Sequence, residues 1–138
     1  VQLDYMLAKT EGSQLLLSLM GDWVHATSQD TGDHLPRIPP LRIGSRLGWT
    51  CGNWDSGIEL RYAFEQNNTG PEEGATEDYL ALNLDVNYRL DLGNSMAAVL
   101  FARAENLLDE EIRHHTSFIK DEAALPGRNL TIGARFEF

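Results

Sequence analysis

The chain has 138 residues, with 21 acidic against 11 basic side chains and a formal net charge of −10. This excess of negative charge repels nucleic-acid phosphates and excludes a nucleic-acid partner. Cys51 is the only cysteine, which excludes an internal disulfide and a metal site made of cysteines alone. No apolar run approaches the roughly 20 residues of a membrane-spanning helix, whereas the alternating strands of a membrane barrel would give only a weak hydropathy signal.

The first half of the chain predicts four strands, because apolar and polar residues alternate as they do when side chains point to opposite faces. The strands are predicted over residues 1–7, 14 to about 27, 41–49 and 57–65. In the second of them, Trp23 is predicted to share one face with Leu15, Leu17 and Leu19. Tight turns containing Gly12 and Gly52 follow the first and third strands. A long loop, residues 28–40, separates the second strand from the third.

The second half predicts three more strands of the same alternating kind, over residues 78–90, 96–105 and 129–138. A polar loop over residues 66–76 precedes the first of them. A short turn over residues 91–95 and a long connection over residues 107–127 precede the other two. The sequence predicts no helix, since the strongest helix formers fall at the start of that long connection.

Short turns and long loops therefore alternate between successive strands. This rhythm is typical of transmembrane barrels, in which the periplasmic turns are short and the outer loops are long. The predicted fold class is all-β: an antiparallel up-and-down meander of about seven strands that forms part of a transmembrane β-barrel.

The apolar faces of these strands must rest on lipid or on a protein core. Their aromatic residues fall at the two ends of the strands, as a bilayer interface selects: Trp49, Tyr88, Phe136 and Phe138 near the short turns, Tyr62 and Phe64 near the long loops. The alternative is a soluble β-sandwich binding module, whose strands also alternate. Small residues such as Ala98 and Ala102 favour lipid, because a thin sandwich core needs larger side chains.

The number of strands bears on how much of a barrel is present. If Phe138 lies on the periplasmic side, an odd number of strands puts Val1 on the extracellular side. Bacterial single-chain barrels have even strand numbers. We therefore expect residues 1–138 to form one domain, the C-terminal segment of a larger barrel, with the earlier strands absent.

Three motifs lie at residues 35–42, 101–109 and 126–138, and together they resemble TonB-dependent outer-membrane receptors. Residues 35–42, Leu-Pro-Arg-Ile-Pro-Pro-Leu-Arg, are similar to the segment that leads into one of that family's late strands. Residues 101–109 resemble its penultimate strand running into an Asn-Leu-x-Asp loop, and residues 126–128 followed by a strand ending at Phe138 resemble its closing segment.

The resemblance implies a barrel of about 22 strands, plugged by an N-terminal domain, that imports metals, metal chelates, vitamins or sugars with energy from the TonB complex. It implies the bacterial outer membrane as the location. The implied partners are outer-membrane lipid, the remaining strands and plug of the full-length receptor, and TonB. The plug and the segment that contacts TonB would precede Val1, and Phe138 would belong to the signal read by the assembly machinery.

One loop has the composition of a metal site: Glu110, Glu111, His114 and His115. Imidazole and carboxylate suit zinc and similar divalent ions, and residues 114–118 resemble the matching loop of a receptor subgroup that includes zinc importers. The alternative is a loop of solvated charges, because adjacent histidines rarely point at one ion. His25 and His34 flank a different loop and would converge only if the two loops fold inwards.

The remaining charged residues are predicted to stabilise the sheet and not to form a catalytic site. Cross-strand ion pairs on the lumen wall are predicted among Arg103, Glu105, Arg135 and Glu137. No Ser-His-Asp or paired-carboxylate arrangement follows from the spacing, so the sequence predicts no enzyme. It also predicts no resident cofactor, and zinc or a metal chelate is a candidate substrate only.

Overall fold

A computed structural model of the chain, which describes residues 1–93 and 95–138, shows seven strands and no helix within those residues. The strands are β1 (Gln2–Lys9), β2 (Ser13–Asp22), β3 (Arg42–Cys51), β4 (Trp54–Ala63), β5 (Tyr79–Gly93), β6 (Met96–Glu105) and β7 (Asn129–Glu137). Each pairs antiparallel with the next in one sheet of order β1-β2-β3-β4-β5-β6-β7. The predicted all-β, up-and-down meander is confirmed. The described residues contain no helix long and apolar enough to cross a membrane.

Most strand boundaries differ from the prediction by a few residues, and two of the differences affect how neighbouring residues are placed. β2 ends at Asp22 instead of near Thr27, so Trp23 lies beyond the strand and not on its apolar face. Thr27 instead forms an isolated bridge with His34 inside the following loop. β5 continues to Gly93, and the predicted turn over residues 91–95 includes Asn94, which lies outside the described residues.

The turn between β3 and β4 shows why these hairpins are tight. Cys51 pairs with Trp54, which leaves Gly52 and Asn53 as a two-residue connection. Gly52 has φ +54°, in the left-handed region that a residue without Cβ adopts at least cost. No atom lies within 4 Å of the position that a Cβ would take there, so the backbone conformation and not crowding requires glycine.

The register is unbroken from β2 to β5 and between β6 and β7, with shifts only after Met6 in β1 and after Asp91 in β5. It collects the apolar side chains on one side, which we call the apolar face. Ile58, for example, lies opposite Leu47 on one side and Leu84 on the other. Many of these side chains are exposed: Leu19, Ile43, Trp49, Trp54, Ile58, Leu60, Leu84, Val86, Leu100, Leu130, Ile132 and Phe136. Soluble monomers rarely expose a contiguous apolar patch larger than a few hundred Å².

The sandwich alternative is wrong for the part of the chain that the structure describes. A sandwich packs two sheets about 10 Å apart, whereas the described residues form one sheet with its apolar face uncovered. The apolar face of this sheet therefore has no protein core behind it within these residues.

Three long loops leave the same end of the sheet: loop A (residues 23–41), loop B (residues 64–78) and loop C (residues 106–128). Loop C folds back over the opposite, polar face. There Ile112 packs with Ala63, Tyr79 and Ala81 in a small buried cluster. The largest buried group of the described residues thus lies under the loops on the polar face, and it fixes loop C above that face.

Candidate functional site in the long loops

The three long loops meet at one carboxylate, that of Glu73 in loop B. It accepts hydrogen bonds from the backbone amides of Gly70, at 3.0 Å, and of Arg37 in loop A, at 2.9 Å. Two side chains of loop C face it: His115 Nε2 at 3.3 Å and Lys120 Nζ at 3.6 Å. The exposed fractions of the Glu73, His115 and Lys120 side chains are only 8%, 0% and 5%. We call these three side chains the loop cluster.

The contacts of His115 fix which ring nitrogen carries the proton. Nδ1 lies 3.0 Å from Thr76 Oγ1 and 3.3 Å from Lys120 Nζ. Because an ammonium group only donates, Nδ1 accepts and the proton resides on Nε2. Nε2 faces Glu73 but finds no well-aligned hydrogen-bond partner among residues 1–93 and 95–138. Lys120 Nζ also donates to the Gly74 carbonyl, which ties loop C to loop B a second time.

The charges of the loop cluster follow from its burial and its partners. Burial lowers the pKa of His115 below its ordinary value of 6.5, Lys120 lowers it further, and Glu73 offsets only part of this, so the imidazole is neutral at pH 7. Burial raises the pKa of Glu73, but the amides of Gly70 and Arg37 and the neighbouring Lys120 outweigh it and hold that pKa below its ordinary value of 4.5. The cluster therefore contains an ionised Glu73 and a neutral His115, both in contact with Lys120.

Further contacts hold loop A against its neighbours. The Arg37 guanidinium lies 3.5 Å from the centre of the Phe118 ring in loop C, close enough for a cation–π contact. Gln66 Nε2 donates to the Ile38 carbonyl at 3.0 Å. A Cβ at Gly70 would lie 2.9 Å from the Pro36 backbone nitrogen, so only glycine fits where loops A and B touch. The loops form one packed layer.

Asn106 shapes the start of loop C, a role that the sequence did not predict. Its side-chain Nδ2 donates to the Glu110 carbonyl at 2.9 Å and its Oδ1 accepts from the Glu110 amide at 3.0 Å. Its own amide donates to Asn83 Oδ1 on β5. Its φ is +49°, in the left-handed region. The residue type is the available sequence signal, because asparagine adopts that region more readily than most residues.

The predicted metal residues occupy separate environments in loop C: Glu110, Glu111, His114 and His115. His114 Nδ1 lies 3.2 Å from the hydroxyl of Tyr79, and the Glu111 carboxylate pairs with Arg113 at 2.7 Å. Within the described part of the chain, no group of three or more His, Cys, Asp or Glu side chains is arranged to hold a metal ion. That these residues bind a metal stays a prediction.

A cavity of about 240 Å³ opens beneath loop C on the polar face. Its walls include Arg61, Tyr79 and Asn83 from the sheet and Ile112 and His114 from the loop. Burial lowers the pKa of His114, and the positive charges of Arg42 and Arg61 lower it further, so this imidazole is neutral too. The cavity offers a neutral imidazole, a phenol, an amide and a guanidinium to a small polar ligand.

His25 and His34 lie next to each other within loop A. Their ring centroids are 5.8 Å apart, and Trp23 stacks on His25 at 6.2 Å. Both histidines line a cavity of about 180 Å³, together with Glu65 and other residues of loops A and B. The bridge between Thr27 and His34 makes this possible, because it closes loop A into a small hairpin.

The polar face carries ion pairs, but the cross-strand pairs predicted among Arg103, Glu105, Arg135 and Glu137 do not form. Arg46 binds Asp85 through two hydrogen bonds, of 2.6 and 3.0 Å. Glu137 pairs with Arg89 at 2.6 Å and, along its own strand, with Arg135 at 2.9 Å. The other two predicted members bind elsewhere: Arg103 lies over the Phe101 ring, and Glu105 accepts from Asn129. Phe138, the predicted assembly signal, lies beyond β7 and is 95% exposed.

Solved structures share this fold. The copper transporter OprC matches with a TM-score of 0.74 over 94% of this chain and 21% of that chain, at 20% sequence identity. At this identity the similarity shows the fold alone, and the chain spans about a fifth of the transporter's length. No protein-family model matches the sequence, and no curated protein matches it.

Proposed function

We propose that residues 1–138 form part of the wall of an outer-membrane TonB-dependent transporter that imports a metal, a metal chelate or another scarce nutrient. The observation that carries this proposal is the continuous, uncovered apolar face of an up-and-down sheet whose other face is charged. The shared fold with OprC supports it. The proposed partners are outer-membrane lipid, further barrel strands, a plug domain and TonB, and no enzymatic step is proposed.

The dimensions of the sheet support a membrane wall. β2, β3, β4 and β6 each have 10 residues, and a tilted strand needs about 9–11 residues to cross the hydrocarbon. Aromatic pairs lie at both ends of the apolar face: Trp54 and Tyr88 near the short turns, with ring centroids 4.5 Å apart, and Tyr62 and Phe64 near the loops, at 4.7 Å. Aromatic residues at both interfaces are typical of membrane barrels.

The polar face suits the lumen of such a barrel. Its charges are paired across strands, as in Arg46 with Asp85 and Arg89 with Glu137. Barrel interiors are polar because they hold water or a plug. Loop C would then lie over the lumen at the outer end, and its cavity would face incoming substrate.

A metal or metal chelate is the substrate class that we favour. The fold neighbour is a copper transporter, and the long loops hold all four histidines of the chain. Imidazole suits copper, zinc and nickel ions. The metal is here the transported substrate, so the groups that bind it must also release it.

Labelling of introduced cysteines tests the membrane placement. In a Cys51→Ser background, we expect Glu72→Cys in loop B to react with a membrane-impermeant maleimide on intact cells, because Glu72 is exposed. Ile58→Cys on the apolar face should not react until the membrane is dissolved, although Ile58 is 42% exposed in the isolated sheet. A protein that fractionates without detergent and labels at both positions would overturn the proposal.

Zinc uptake tests the substrate class and the predicted site in loop C together. In cells that depend on this protein for zinc, we expect His114→Ala to lower uptake, because the imidazole lines the cavity beneath loop C. His115→Ala should lower it as well, but this variant also disrupts the loop cluster. Glu72→Gln is the matched control in an exposed part of loop B. Unchanged uptake by the His114→Ala variant would contradict the predicted site.

A further inference from the structure

We propose that His25 and His34 of loop A form a binding site for a divalent first-row transition-metal ion, with the two imidazoles as ligands. The hairpin that carries them is held by its own backbone. The Ser28 amide donates to the Asp33 carbonyl at 2.8 Å, and the Leu35 amide donates to the Ala26 carbonyl at 3.2 Å. The pairing of Thr27 with His34 continues this short ladder.

The hairpin places both rings on one side. Side chains alternate along a strand, so His25 shares a side with Thr27, two residues on. His34 lies directly across from Thr27 and is thus a diagonal neighbour of His25. Such diagonal pairs are within reach of aromatic side chains, and the ring centroids are 5.8 Å apart.

The separation suits a shared ion. Two imidazoles bound to one tetrahedral ion through metal–nitrogen bonds of about 2.0–2.1 Å have their ring centroids about 5 Å apart. The observed separation of 5.8 Å, with the ring planes at 78°, lies close to this value. Trp23 stacks on His25 and limits the other orientations of that ring.

The surroundings leave room for further ligands. The adjoining cavity of about 180 Å³ is lined by both histidines and by Glu65, Gln66 and Asn68. Because the described residues assemble no group of three ready ligands, water or a chelator brought with the ion must complete the coordination. Such an open site captures an ion without holding it tightly.

The reason for capturing an ion rests on the proposed transport function. Metal binding by His25 and His34 can be measured independently of that function. The experiment is a titration of the whole purified protein, in detergent and freed of metal, with Cu²⁺. The variants are His25→Ala, His34→Ala and both together. Glu72→Gln, an exposed position of loop B outside the hairpin, is the matched control. His114→Ala tests whether the ion binds instead at the other predicted site, in loop C.

We expect each single variant to weaken Cu²⁺ binding about tenfold or more. Even the loss of a residue that only hydrogen-bonds a metal ligand typically lowers metal affinity by about tenfold or more. Electron paramagnetic resonance of the first bound Cu²⁺ should show two coupled nitrogens in the wild type and one in each single variant. Unchanged affinity in the double variant, or loss of the first site only in His114→Ala, would overturn the inference. Normal Cu²⁺ binding with no effect of the protein on metal uptake would contradict the proposed function instead.

Discussion

At the scale of single residues, the loop cluster shows how buried charge organises the outer end of the sheet. Within residues 1–93 and 95–138, Glu73 is the one acidic group that contacts loops A, B and C at once. Taking a carboxylate and an ammonium out of water is costly, and the cost is offset only when both find partners. The Gly70 and Arg37 amides and Lys120 are those partners. We therefore expect the loop arrangement to depend on this pair more than on any exposed charge.

Glu73→Gln tests that dependence. The side-chain amide of the variant can still accept from the backbone, but Lys120 would be buried without a negative partner. We therefore expect the free energy of loop opening to fall by about 3 kcal/mol, which speeds up hydrogen exchange about 100-fold. Exchange of the amides of residues 115–120 is the measurement. Glu72→Gln, an exposed neighbour, is the control. Equal exchange in the two variants would show that the cluster does not hold the loops.

The histidines make the same loops sensitive to pH. His115 and His114 have pKa values lowered from 6.5, so the unfolded loops bind more protons than the folded ones as pH falls below that value. The stability that the loops gain from neutral His114 and His115 is complete above about pH 6.5 and is lost on acidification. Glu73 adds a further loss of stability below pH 4.5, the ordinary pKa of its carboxyl. Limited proteolysis of loop C should therefore speed up from about pH 7.5 to about pH 5.5. Greater protection at the lower pH would contradict this sign.

At the scale of elements, the sequence predicted the strands but not the layer of loops. Alternation along each strand is local, so β6 was predicted to the residue and the others within a few positions. Glu73 and His115 come from loops far apart in the chain, and the Arg37–Glu73 hydrogen bond spans 36 positions. No local pattern encodes such pairs. Trp23 was misplaced for a related reason: the pairing of Thr27 with His34 ends β2 early.

Gly57 carries a prediction that belongs to the sheet itself. Arg46 on β3 crosses β4 above Gly57 to reach Asp85 on β5, and a Cβ at Gly57 would overlap the guanidinium of Arg46. We expect Gly57→Leu to displace the guanidinium and to lower the free energy of unfolding by about 1–3 kcal/mol, the value of hydrogen bonds to charged groups.

Thermal unfolding of the whole protein measures this effect. Gly48→Leu is the matched control, because the nearest atom to a Cβ at Gly48 is 4.0 Å away. Adding Asp85→Asn to Gly57→Leu should cost little more, since the ion pair is already broken. Fully additive losses would show that Gly57 does not act through Arg46.

At the scale of the whole molecule, the sheet has two faces of opposite character and two open edges. Edge residues of β7 are among the most exposed apolar groups, with Leu130 at 69% and Ile132 at 76%. Unpaired edges invite further strands, and the proposed barrel would supply them. Lipid against the apolar face is the central claim, because it separates a membrane wall from any sheet that covers this face with protein.

Quenching of tryptophan fluorescence by brominated lipid tests that claim most directly. The chain has three tryptophans: Trp49 and Trp54 on the apolar face, and Trp23 in loop A, the most exposed of the three at 73%. In bilayers whose acyl chains are brominated, the Trp23→Phe variant, which keeps Trp49 and Trp54, should be strongly quenched. A variant that keeps only Trp23 should be quenched far less. Strong quenching of Trp23 with none of Trp49 and Trp54 would contradict the account.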